Sequence, residues 1–429
     1  MNYSSFVVED DKDELSICYY NLYCIDGVIT YVTDNYIELP YVNKWTNTYS
    51  WRPSIKIVDD IVSFLSDKEL EEIKTATYSD MMWISNIGHA LFDCLYPIYL
   101  ALVKFGYEEE SFDIVVNKWD NWKEKSTNMM LAFCKGNIIE LQNKGNYHFN
   151  KLIAGTGRTG NRVIREDYIL YGKKYNGISK FANRMMSAYN INMTNIKTTP
   201  YIIVVDNKRY SNYERDVISN VVTTLQSEGI NIQYIYWQKY PSFKDQMIEV
   251  EKTNIYVSAP GNAIMYVPFL KKGSVIINLG WMEHTQTNTI RPNLIISNAT
   301  KPDYVLPGFM EQSVCSCVPE VSTIYYDRYK YNNIEEQPLI DIIRRACTLI
   351  NEEIILDNNH NIDAQIFIEY CKRVSNGRQI ADHLTGIAFF IELFVNEHPS
   401  AVDRSFVDKE LLRKIKDEFN YDRKYEIVI

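Results

Sequence analysis

The sequence predicts an α/β protein whose second half is built on a right-handed parallel sheet. Three observations carry this. First, four apolar runs, YIIVVD (201–206), NIQYIY (231–236), NIYVSA (254–259) and SVIINL (274–279), follow one another along the chain. Uninterrupted runs of this kind mark strands buried on both faces. Second, helical patterns separate them, and strand–helix alternation gives a parallel sheet with right-handed crossovers. Third, 429 residues are too many for one core of ordinary size, so two domains of roughly 200 residues are expected.

The second half reads in order. After YIIVVD comes a helix from about 212 to 227, ended by Gly229. After NIQYIY, the pattern Ser242-x-x-Asp245 resembles a capping box and opens a helix to about 252. NIYVSA breaks at Pro260-Gly261, and the helix-like run AIMYVPFL follows before SVIINL. This gives a Rossmann-like domain over 196–330. From about 335 the chain turns helical and charged, through PLIDIIRRACTLINEEII, DAQIFIEYCKRV, GIAFFIELFV and DKELLRKIKDEF. Residues 331–429 are therefore expected to form a helical extension.

The first domain, 1–195, reads as mixed α and β. Its first ten residues are polar and acidic and are expected to fray. Two β-rich runs flank Asp26-Gly27, a hairpin signal. Ser66-x-x-Glu69 has the form of a capping box and predicts a helix to about 76. FDIVVN (112–117) predicts a short buried strand. Between them, SNIGHALFDCLYPIYLALVKFG (85–106) predicts a buried helix, kinked near Pro97.

That helix carries His89 and Asp93 one turn apart, on the stripe shared with Phe92, Tyr96 and Leu100. A buried carboxylate without a partner is costly. Asp93 is thus either paired inside, in a hydrogen bond that merely fixes a core, or faces a pocket as part of an acid–base pair. A second constellation follows the strand ending at Asp206, where Lys208, Arg209 and Arg215 gather in the loop and first helical turn. Ligands of parallel sheets bind outside the carboxyl ends of strands, and cations there suit a diphosphate. The plainer reading is a solvated basic turn. A third is the turn at Gly261, where the amides of Asn262 and Ala263 open a helix and a ligand can approach the backbone. It is neither a GxGxxG fingerprint nor a P-loop.

Composition narrows the classes. Net charge is −10 and the pI about 5.3, which disfavours a general nucleic-acid binder. The eight cysteines form no CxxC pair, so a zinc site is not expected and reduced, mostly buried thiols are. No basic, apolar leader opens the chain and no run approaches a membrane span, which predicts a cytoplasmic protein. The sequons at Asn192 and Asn298 are then chance matches. Richness in Asn, Ile, Lys and Tyr suggests an A+T-rich genome, such as a virus or a protist.

The order of the three constellations resembles glycosyltransferase family 61. The family's Asn-x-x-His-x-x-x-Asp motif is matched by Asn86, His89 and Asp93. Its arginine segment is matched loosely by Lys208, Arg209 and Arg215, its Ser-Phe-x-x-Gln segment by Ser242, Phe243 and Gln246, and its later segment by Phe269 through Gly273 to Ile277. The family's histidine before the glycine is Pro260 here, and the residue after it is Asn262. The resemblance covers roughly residues 80–280.

The resemblance implies a GT-B-like protein, with two Rossmann-like domains facing a cleft, that inverts the anomeric centre. It implies a nucleotide-sugar donor, held by Asn86, Lys208, Arg209, Arg215, Gly261, Asn262 and Ala263, with His89 or Asp93 as the base and no metal or other cofactor. The early Asp11-x-Asp13 is discounted as a metal motif. The implied acceptor is a glycan or glycoprotein hydroxyl. Two other readings stand beside it: a catalytically inactive, glycosyltransferase-like binding module, and another nucleotide-sugar enzyme such as an epimerase, which the missing GxGxxG turn disfavours.

Overall fold

The computed structural model describes residues 2–10, 15–43, 50–79, 84–117, 124–155, 177–192, 199–208, 210–259, 261–279, 281–283, 303–305, 321–326, 331, 333–350, 373 and 408–420. The chain divides into two units, Met1–Val163 with Asn183–Asn190, and Ile164–Ala182 with Ile191–Ile429.

The first unit begins with a correction. Residues expected to fray form β1 (Ser5–Asp10), paired antiparallel with β2 (Leu15–Ile25). The side chain of Ser4 helps to pin the segment: its hydroxyl donates to Asn21 O (2.6 Å) and accepts from Val32 N (2.9 Å). The Asp26-Gly27 hairpin is present. Both residues take positive φ, 51° and 80°, as a two-residue primed turn requires, and β3 (Val28–Thr33) returns along β2. Gly27 is also needed for space, because a Cβ there would stand 2.2 Å from the carbonyl oxygen of Leu141.

Next come the small pair β4 (Val42–Asn43) and β5 (Ser50–Trp51), and β6 (Ser54–Ile57), which lies parallel to β3. The helix predicted from Ser66 is absent. A short helix, Ile61–Leu65, already ends at Ser66, having started on the side chain of Asp60, and Ser66 serves as its C-cap. Residues beyond it are taken by β7 (Glu71–Ile73) and β8 (Ala76–Tyr78), both parallel to the later β11 (Tyr147–Ala154). Sheet pairing here overrides a local helix-start signal.

From β8 the chain runs through helix to β9 (Asp113–Val116), through the helix Glu124–Cys134 to β10 (Ile138–Glu140), and then to β11. β8, β9, β10 and β11 run parallel to one another in the spatial order β10-β9-β8-β11. Numbered along the chain that is 3-2-1-4, the opening of one common doubly wound order. The other half of the nine-stranded sheet, around β1, β2 and β3, is largely antiparallel.

The second unit follows its sequence closely. Its strands are β12 (Ile202–Val205), β13 (Ile232–Ile235), β14 (Ile255–Ser258) and β15 (Val275–Asn278), then the small antiparallel pair β16 (Trp281–Glu283) and β17 (Asp303–Val305), and finally β18 (Ser322–Tyr325). The five-stranded sheet is wholly parallel, in the order β13-β12-β14-β15-β18. This is 2-1-3-4-5, the other common doubly wound order.

Helices Asn212–Ser227 and Glu336–Leu349 share one core with Ile202, Val204, Val257 and Ile277. That core reaches Ile350, past the boundary expected at 330. Helix Phe243–Lys252, capped by the Ser242–Asp245 box, and the 3-10 helix Asn262–Phe269 supply Phe243, Tyr266 and Phe269 to a second aromatic cluster. Of the expected C-terminal helices, Lys409–Glu418 is present; the runs DAQIFIEYCKRV and GIAFFIELFV fall outside the described residues, apart from Arg373. Among described residues no helix is long and apolar enough to cross a membrane.

Candidate functional site

In a 2-1-3-4-5 sheet the crevice for a ligand lies where the order reverses, outside the carboxyl ends of the first and third strands. Here those strands are β12 and β14. The residues that follow them are the two segments singled out after Asp206 and around Gly261. Separated by some fifty residues in sequence, they are hydrogen-bonded to each other. The amide of Ala259 donates to the hydroxyl of Tyr210 (3.1 Å), and Asn207 Nδ2 donates to the carbonyl of Ala259 (3.4 Å).

Arg215 holds the first of these loops in shape. Its Nε donates to Asp206 Oδ1 (3.0 Å), while its terminal nitrogens donate to the carbonyls of Tyr210 (2.7 Å) and Asn207 (2.9 Å). The capping box of Ser211 and Glu214 starts the helix that carries Arg215, so the guanidinium sits one turn inside, facing back along the loop. Asp206 also accepts from the hydroxyl of Tyr234 on β13 (2.6 Å). Burial, and then the neighbouring carboxylate, push that hydroxyl well above the ordinary tyrosine range, so Tyr234 remains a donor at any working pH. Arg215 thus turns three of its N–H groups to the loop itself, on a side chain that stays partly exposed. Lys208 is exposed at the tip of the same loop; Arg209 lies outside the described residues.

Gly261 takes φ 128° and ψ −160°, a conformation open to glycine, and precedes the 3-10 helix. Ile264 N returns to the Gly261 carbonyl (3.0 Å). The next residues are Asn262, exposed, and Ala263, buried, whose carbonyl accepts from Tyr256 (2.5 Å). Pro260 lies outside the described residues. The arrangement can receive an anion at the helix start, with Lys208 on the facing loop of the same crevice.

The other motif lies in the first unit, on the connection leaving β8, the first strand of the 3-2-1-4 run. Asn86 caps the coming helix: its side-chain oxygen accepts from Gly88 N (3.0 Å) and its carbonyl from Ala90 N (2.9 Å). His89, partly exposed, begins a π-helix, His89–Leu95, where an α-helix was expected. Pro97 supplies the reason. Lacking an N–H, it leaves a rung of the α-helical ladder unmade, and just before it Tyr96 N bonds to Leu91 O, five residues back. The α-helix resumes as Tyr96–Lys104. π-turns of this kind are frequent at functional sites. Asp93 belongs to the π-turn by its backbone, and its side chain lies outside the described residues.

The structure therefore joins Asp206, Arg215 and the Gly261 turn in one crevice of the second unit. Asn86, His89 and Asp93 occupy one helix start in the first. Tyr210, Asn207 and Tyr234, which tie the crevice together, carried no motif in the sequence.

No protein family matches the chain, and no curated protein matches it. Among solved structures, a mutant flavo di-iron protein from Thermotoga maritima aligns over 82% of this chain and 100% of its own, with 9% identity and a TM-score of 0.21. A likeness at that TM-score carries no argument about this chain's fold or activity.

Proposed function

We propose that the chain is an inverting glycosyltransferase that works without a metal ion. It would move a sugar such as xylose or GlcNAc from a nucleotide-sugar, UDP-linked in the first instance, to a hydroxyl of a glycan or glycoprotein in the cytoplasm. One observation carries the reading: two segments picked out separately for a diphosphate meet at the switch point of a parallel sheet, tied together through Ala259. The family resemblance of the Asn86–His89–Asp93 motif supplies the transfer step.

In that step the acceptor oxygen attacks the anomeric carbon and its proton passes to His89 or Asp93. The bond from that carbon to the diphosphate breaks, and the diphosphate leaves with the electron pair. Charge builds on the leaving group and asks for fixed donors. Lys208, Arg209 and the amides at Asn262 and Ala263 are the candidates. Arg215 contributes by shaping the loop that presents them.

One observation favours the inactive binding module instead: Arg215 pairs with Asp206 and turns three of its N–H groups to its own loop. The deciding experiment measures nucleotide release from UDP-, GDP- and CMP-sugars with EDTA present, for wild type, His89→Ala and Asp93→Asn. Slow hydrolysis of one donor, lost in either variant, is the expected result. Folded protein that turns over no donor would retire the transferase in favour of the binding module.

A further inference from the structure

β1 lies at the rim of the nine-stranded sheet. Among the described residues it pairs with β2 alone, from Ser5 opposite Tyr20 to Asp10 opposite Leu15, and no strand lies on its other side. The far side of β2 is taken by β11. In an antiparallel ladder successive residues turn their N–H and C=O groups alternately to the partner and away from it. Every second residue of β1 therefore presents both groups outward, the arrangement that accepts a further strand.

The side chains suit that role. Val7 is 46% exposed and Val8 38%. Being successive, they lie on opposite faces of the sheet, while Cys18 and Ile17 across the ladder are fully buried. The exposure thus belongs to the rim rather than to one face. Phe6 fixes the strand, packing on Tyr19 and Tyr31 at 6.0 and 6.1 Å between ring centres, so an incoming segment meets a template already in place. Natural edges are commonly blunted by proline, lysine or a bulge. SFVVED has neither proline nor lysine, and its register with β2 is unbroken.

Charge names the occupant. Glu9 and Asp10 close the strand, and Asp11, Asp13 and Glu14 follow, with Lys12 between them. A second copy of β1 brings the same acids and no cation beyond Lys12 to meet them, whereas a basic segment answers them. We infer that β1 is a docking edge for an extended basic segment of another protein, which adds a strand beside Val7 and Val8 and sets lysine or arginine against the acidic end at Glu9. The ladder supplies the attachment, the valines cover apolar side chains of the partner, and the acids select its charge. The inference is independent of the transferase reading.

The test titrates the full chain with a fluorescent peptide that has a Thr-Val-Thr-Val core and lysines at both ends. One control places the same core between glutamates. The other N-methylates alternate amides of the lysine peptide, which keeps its side chains and charge but removes ladder donors. Val7→Lys and Glu9→Lys change exposed positions, so both should melt like wild type. Wild type should bind the lysine peptide at least about tenfold more tightly than either control, and each variant should weaken that binding about fivefold. Added salt should weaken it too. Hydrogen exchange of wild type should slow within residues 5–10 when the peptide is bound. Any of four results would overturn the inference: the lysine peptide does not bind, either control binds as tightly, exchange within 5–10 is unchanged at saturation, or Glu9→Lys binds the peptide as wild type does. Self-association of wild type that Val7→Lys abolishes would also overturn it, since the edge would then serve a second copy. Should a variant melt clearly below wild type, the control peptides and the exchange, both read on wild type, decide alone.

Discussion

Truncating Arg215 to alanine would remove the ion pair with Asp206, which keeps Tyr234, and take one donor each from the carbonyls of Tyr210 and Asn207, the latter keeping the Tyr210 amide. Hydrogen bonds to a charged group contribute about 1.5–3 kcal/mol, so Arg215→Ala should lower stability by about 2 kcal/mol, read from the urea midpoint. Arg215→Lys should recover less than half of the loss, because an ammonium cannot serve three oxygens set out for a planar fork. The sequence displayed a cluster of cations after a strand. It did not display which would turn inward, since that depends on Asp206 nine residues earlier and on backbone carbonyls that any residue provides. The thiols were more legible. Scattered cysteines suggested buried side chains, and Cys18, Cys24 and Cys134 are buried thiols. Burial pushes Cys18, Cys24 and Cys134 each up to about 11. These thiols should resist a disulfide reagent at pH 8 in the folded protein and react on unfolding, as thiol titration with and without denaturant would show.

At the scale of elements, strands flanked by strong turn or cap signals were readable. Asp26-Gly27 and the Ser242 box act as their patterns say, and Ser211-x-x-Glu214 was an available signal of the same kind. Ser66-x-x-Glu69 misled because the same letters can follow a helix as well as begin one, and long-range pairing of β7 and β8 with β11 decided the matter. β7 itself is fastened by a titratable contact. His148 on β11 stacks on Tyr23 (4.8 Å between ring centres) and reaches Glu72 Oε1 (3.1 Å) and Asn21 Oδ1 (3.3 Å). The hydrogen bond and charge of His148 hold the Glu72 carboxyl below its ordinary value of 4.5. A lowered carboxylate stabilises the fold above that ordinary value and ceases to as pH falls through the lowered one. The urea midpoint should therefore drop below pH 4.5, and Glu72→Gln should reduce that drop. The π-turn offers a second test. Pro97→Ala restores an N–H and lets the α-helical ladder close over Asp93's carbonyl. Helicity by circular dichroism should hold or rise, while any His89-dependent donor hydrolysis should fall about tenfold or more, since re-registering the turn moves the imidazole.

For the whole molecule, both doubly wound orders appear in one chain, 3-2-1-4 in the first unit and 2-1-3-4-5 in the second. The second was legible because parallel strands buried on both faces leave unbroken apolar runs. The first was not, because β8 and β10 are three residues long and the sheet's other half alternates in direction. The switch point of the second unit predicts a footprint. In hydrogen exchange, UDP should slow the amides of 206–208 and 261–264. The ties through Ala259 have a further consequence, in the time domain. Tyr210 and Asn207 already grip both backbone atoms of that residue, and Arg215 already braces the loop. A ligand arriving at this crevice finds Asn207, Tyr210 and Ala259 already tied together and gives up less of its binding free energy to ordering them. Its capture should follow a single phase whose rate rises linearly with concentration, without the plateau that a slow closing step imposes.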